Sequence, residues 1–67
     1  MIGMSAYRAY FLSASDHIRD VCALQNTDDA AACAEAQIML LRSEYAAVEV
    51  YRERRLVWRT ERAQQAA

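Results

Sequence analysis

The sequence predicts an α+β fold: a small two-layer ββαββ domain with a four-stranded antiparallel sheet and one helix on one face. Three observations predict it. An aromatic run, AYRAYFL at 6–12, is answered by a β-branched run, HIRDVCAL at 17–24. An alanine-rich segment, DAAACAEAQIMLLRSE, has strong helix formers throughout. The last third, AAVEVY then LVWRT, alternates with a period of two.

Residues 6–12 are too short for a helix with a stripe of its own and read as a strand. Ser13-Ala14-Ser15-Asp16 makes a turn, because short polar side chains bond to nearby backbone. Ile18 and Val21 mark the returning strand over 17–24. Asn26, Thr27 or Asp28 then caps a helix over 28–43, whose first-turn aspartates suit the positive end of its dipole. At 100° per residue, Ala30, Ala31, Ala34, Ile38, Leu41 and Tyr45 share one arc, expected to face the core. Cys33, Ala36, Met39 and Leu40 lie off that arc. Strands over 46–51 and 56–60 form a second hairpin around Arg52-Glu53-Arg54-Arg55. The alternative is a mostly α chain, its helix running on through 28–62, since no proline or glycine interrupts it. That helix would push Val48 and Leu56 off its apolar arc and bring Arg54 and Glu61 onto it, so the hairpin is favoured. Residues 1–5 and the tail from Arg62 through 63–67 are expected to fray.

With 67 residues the chain is one domain, and a domain this small gains from a partner, a disulfide or a metal. Net charge is −1, unevenly spread: residues 1–45 carry −3 and residues 46–67 carry +2. No apolar run approaches the length needed to cross a bilayer, and no export signal is visible near Met1, so the expected location is the cytoplasm, away from membranes. Cys22 and Cys33 then read as reduced, small hydrophobic side chains.

Tyr7-Arg8-Ala9-Tyr10-Phe11-Leu12, Asp16-His17-Ile18, Val48-Glu49-Val50-Tyr51 and Arg55-Leu56-Val57 together resemble a group of short uncharacterised bacterial proteins. Those open with an aromatic strand, carry an acidic-start alanine-rich helix and close with a Val-Glu-Val-aromatic hairpin. The resemblance implies the second hairpin and carries no activity. It departs at the last turn, where such proteins often have glycine and this chain has Arg52-Glu53-Arg54-Arg55.

The motifs exclude more chemistry than they support. His17, Cys22 and Cys33 lack the paired spacing of a zinc site, so no metal or other cofactor is expected. Ser13, Ser15, Asp16 and His17 sit on one turn with no oxyanion-hole loop, and Asp28-Asp29 suits a helix start, so no catalytic residue is expected. One helix shields one sheet face, so an apolar and aromatic patch should remain on the other. The expected function is therefore a non-enzymatic protein–protein interaction module, a homodimer or a small accessory protein docking on a larger one. Its candidate interface residues are Tyr7, Tyr10, Phe11, Met39, Leu40, Tyr51 and Trp58. The alternative is a nucleic-acid-associated regulator gripping phosphate through Arg52, Arg54, Arg55 and Arg59, although Glu49, Glu53 and Glu61 intervene and the pI of about 5.7 is low for that role.

Overall fold

The computed structural model of the chain describes residues 7–26 and 28–62. The expectations for residues 1–6, Thr27 and 63–67 lie outside the described residues. The element order is β1 (Tyr7–Leu12), β2 (Ile18–Ala23), α1 (Asp29–Leu41), β3 (Ala47–Arg52) and β4 (Arg55–Glu61). This is the ββαββ domain the alternation predicts, with every boundary within two residues. The sheet is antiparallel throughout, in the order β2-β1-β3-β4. A helix continuing through 28–62 is excluded, because β3 and β4 pair residue by residue from Ala47–Glu61 to Arg52–Arg55.

Both hairpins turn without glycine. In the first, Ser13 N–H bonds His17 O and Asp16 N–H bonds Ser13 O, each at 2.9 Å, and Asp16 takes a left-handed φ of 66°. Aspartate tolerates that region better than most residues. The second tip places Glu53 at φ 58°, where glycine would remove the steric conflict between Cβ and backbone.

Helix α1 starts where the sequence places a cap. The Asp28 carboxylate accepts from Ala31 N–H at 2.8 Å. Its rotation about its own axis differs from the expected one. Ala32, Ala36 and Leu40 are buried, with Cys33 and Met39 half-buried beside them, whereas Ile38 is 54% and Leu41 61% exposed. The reason is a polar tether. Tyr7 in β1 donates its hydroxyl to Asp29, which fixes the first turn of the helix against the sheet. Residues 32, 33, 36 and 40 follow Asp29 at helical spacing and are carried inward with it. Asn26 Nδ2 holds Glu35 at 2.6 Å and acts in the same direction. With apolar residues on every side of the helix, hydrophobic patterning alone could not choose between the two arcs. Two inward alanines also let the helix axis come close to the strands.

The helix packs over β1, β3 and β4. Between the layers lie Tyr7, Ala9, Phe11, Leu24, Val48 and Val50, with Trp58 and Val57 half-buried beside them. The Phe11 and Tyr45 rings meet at 5.5 Å. Arg62, expected in the frayed tail, instead closes the far end of the helix. Its Nε donates to Tyr45 O at 2.9 Å, and its Nη2 donates to Leu40 O at 2.5 Å and to Ser43 O. The Ser43 and Tyr45 carbonyls lie just past the helix, Leu40 O also accepts from Ser43 N–H at 3.0 Å and Ser43 Oγ at 2.8 Å, and a cation there meets the negative end of the helix dipole.

Candidate interaction surface

Among the described residues no helix lies over the far side of the sheet, where Leu12 and Ala47 are nonetheless buried. Strand pairing sets its residues in three rows across β2-β1-β3-β4: Ala23, Arg8, Tyr51 and Leu56; then Val21, Tyr10, Glu49 and Arg59; then Ile18, Leu12, Ala47 and Glu61. A register shift after Val50 lets Leu56 share this face with Tyr51, although Trp58, two residues on, shares the inner face with Val50. Ile18 is 61% exposed, Val21 52% and Leu56 48%, which makes an apolar patch of β-branched and leucine side chains. Tyr10 and Tyr51 sit in its centre, edge to face with ring centroids 5.3 Å apart. Tyr10, Ile18, Glu49 and Tyr51 line a shallow hollow of about 360 Å3.

One flank of the patch is charged. Arg59 Nη1 donates to Glu49 at 2.5 Å, and Nη2 donates to Asp16 at 3.1 Å and to Glu61 at 3.2 Å. Bonds to Asp16, then Glu49 and Glu61, hold the guanidinium proton even more tightly than usual. Three carboxylates around one cation leave this group at net −2. Tyr51 donates its hydroxyl to Glu49 at 3.3 Å, and burial followed by the Glu49 charge pushes its ionisation above the ordinary tyrosine range. Arg8, in the opposite corner, has no ion pair among the described residues.

The sheet margins are guarded. At β2 the outward Val21 N–H is taken by the carboxylate of Asp20 at 2.8 Å. At β4 the register shift makes a bulge at Val57. Both devices hinder another strand from pairing there.

The interface residues expected from sequence divide three ways. Tyr10 and Tyr51 lie on the open face. Tyr7, Phe11 and Leu40 are buried in the core, and Met39 and Trp58 are half-buried against it. Cross-strand register turns Tyr7 and Phe11 inward and the Asp29 tether turns Leu40 inward, so these three are corrected from surface to interior, while Met39 and Trp58 keep part of their surface. Ile18, Val21 and Leu56 were missed. The signal available for two of them was the alternation of the first hairpin, which sets them beside Tyr10 and Leu12 once the turn length is known. Of the arginines, Arg59 is taken up by carboxylates, Arg52 lies 5.7 Å from the Tyr7 ring centroid, and Arg54 and Arg55 are exposed at the second tip.

The first turn does not assemble a catalytic group. Ser15 Oγ and His17 Nδ1 are 3.1 Å apart, but both are exposed and Asp16 turns to Arg59 rather than to His17. Among the described residues, no cluster of three or more His, Cys, Asp or Glu side chains could hold a metal ion. Both cysteines are free thiols. Burial, and secondarily Asp29, pushes the Cys33 thiol up, away from the reactive thiolate. No described helix is long and apolar enough to cross a membrane. Comparison with protein-family models, curated proteins and solved structures gave no match.

Proposed function

We propose that this chain is a non-enzymatic interaction module of the cytoplasm, a homodimer or a small accessory subunit, whose open sheet face docks another folded protein. The observation that carries this reading is the uncovered patch of Ile18, Val21, Leu56, Tyr10 and Tyr51, on a sheet whose margins are both guarded. Exposed apolar surface gathered in one place favours burial against a partner, whereas scattered exposed leucines do not. The test is a photo-crosslinking residue at Ile18 in one variant and at Ile38, on the outer side of the helix, in another. Protein adducts from position 18 and not from position 38 support the reading; adducts from position 38 alone would refute it.

A second reading, nucleic-acid binding by the C-terminal hairpin, draws on Arg52, Arg54 and Arg55, which have no ion pair among the described residues. It loses Arg59 to the carboxylates. Salt-sensitive binding of an oligonucleotide, abolished by R54Q with R55Q, would favour it; no binding at low salt removes it.

A further inference from the structure

We propose that the occupant of the open face is a second copy of this chain, docked face to face about a two-fold axis that runs along the diagonal Ile18–Tyr10–Tyr51. This rests on the docking reading above and names its partner.

The face carries net −2 around Arg59 on its β3–β4 flank and, on β1, Arg8, which has no ion pair among the described residues. In a two-fold interface each residue that meets a given neighbour is itself met by that neighbour, so a face needs complementary features on the two sides of the axis. Two simple axes fail this condition. An axis along the strands, between β1 and β3, sets Tyr10 against Glu49 and Val21 against Arg59. An axis across the strands, along the middle row, brings Glu49 against its own copy. The diagonal axis satisfies it.

With strands ~4.8 Å apart and same-face residues ~6.8 Å apart along each strand, reflection across that diagonal carries Arg8 to within ~3 Å, in projection, of the partner's Glu49. The symmetric contact sets Glu49 beside the partner's Arg8. Ile18, Tyr10 and Tyr51 lie on the axis and pack against their own counterparts. Val21 lands within ~3 Å, in projection, of the partner's Leu12. Asp16 and Glu61 fall outside the contact, and Arg59 stays among its own carboxylates. The two sheets cross at ~70°, in the near-orthogonal class of sheet packing.

Size sets the strength. The eleven positions other than Glu61 cover at most ~360 Å2 of flat area on each copy, with Leu12 and Ala47 among them already buried in the single chain, so the pair sits at the small, transient end of protein interfaces. The dimer therefore exchanges with monomer and needs the ionic contact to hold its orientation.

Sedimentation equilibrium of the purified chain from about 1 µM to about 1 mM tests the occupant. A monomer–dimer equilibrium weakened by salt is expected. R8E should weaken association at least tenfold, and R8K should stay within about threefold of the parent, since it keeps the charge. Orientation is read by cross-linking on a C22S, C33S background with a short bis-maleimide. A cysteine at Ile18, on the axis, should cross-link to its own copy, because facing sheets stack ~10 Å apart. A cysteine at Ala23, ~16 Å from its counterpart in projection, should not. A strict monomer over the whole range overturns the second copy and leaves the docking reading to its own crosslinking test. A dimer indifferent to R8E, or one in which position 23 links as well as position 18, overturns the diagonal arrangement alone.

Discussion

Replacing Arg62 by methionine should cost this small domain a large share of its stability. The side chain reaches three carbonyls, those of Leu40, Ser43 and Tyr45; Leu40 O also accepts from Ser43 N–H and Oγ, so the loss falls mainly on the other two. A hydrogen bond to a charged donor contributes ~1.5–3 kcal/mol, and a cation at a helix C-terminus adds ~0.3–1 kcal/mol. These figures are not additive for one half-buried guanidinium, so the expected loss is ~2 kcal/mol. A chain of 67 residues has total stability of only ~3–10 kcal/mol. At ~4–8 °C per kcal/mol, the melting temperature should fall by ~8–16 °C. Thermal and urea unfolding followed by circular dichroism measure both quantities. R42M is the matched control, since Arg42 is exposed at the helix C-cap, and its change should stay within ~0.5 kcal/mol. R62K, with one compact donor head in place of the planar fork, should fall between. A loss for R62M no larger than that for R42M would show that the clasp contributes nothing and that helix packing alone holds the end of α1.

Three further outcomes are expected. E53G should raise stability by ~0.5–1 kcal/mol, because glycine relieves the left-handed strain at the second tip and loses part of that gain to chain entropy; a lower melting temperature would contradict the strain. Tyr7 and Tyr51 both ionise above the ordinary range, Tyr7 chiefly through its bond to Asp29 and Tyr51 chiefly through burial. The unfolded chain therefore loses these protons first, so their contribution is complete below pH ~10 and fades as pH rises through the folded values; urea midpoints unchanged between about pH 9 and about pH 11 would rule this out. Cys33 should react with iodoacetamide more slowly in the folded chain than in the chain unfolded in urea at the same pH, and an equal or faster folded rate would show that the thiol is not desolvated.

Much of the fold is legible in the chain because its signals are local. Tyr7 to Leu12 is aromatic-rich and too short for a helix with its own stripe, Asp28 stands where a cap belongs, and Val48-Glu49-Val50 cannot keep its apolar residues together on a helix. The rotation of α1 is not legible, because Ala32, Ala36 and Leu40 form an arc about as apolar as Ala34, Ile38 and Leu41. The choice between them is made by Tyr7, 22 residues away from Asp29 in the chain. The candidate surface was legible as a principle, one helix for two faces, but not in its membership. Naming Ile18 and Val21 requires the register of β1 on β2, including the shift between Phe11 and Leu12, and that depends on how a glycine-free turn is closed. Arg62 is not legible because its acceptors, one in the last turn of α1 and two in the loop after it, come together only once the chain has folded.

The single tryptophan of the chain, Trp58, lies on the inner side of β4, half-buried beneath the helix, while Tyr10 and Tyr51 stand on the outer side of the sheet. Tryptophan is thus confined to the inner surface of the layer, while tyrosines stand on both. Tryptophan emission will register loss of the interior and stay silent when the outer side is occupied, whereas the tyrosine signal, which also draws on Tyr7 and Tyr45 on the core side, will respond to both. Unfolding and association become optically separable in the unlabelled protein.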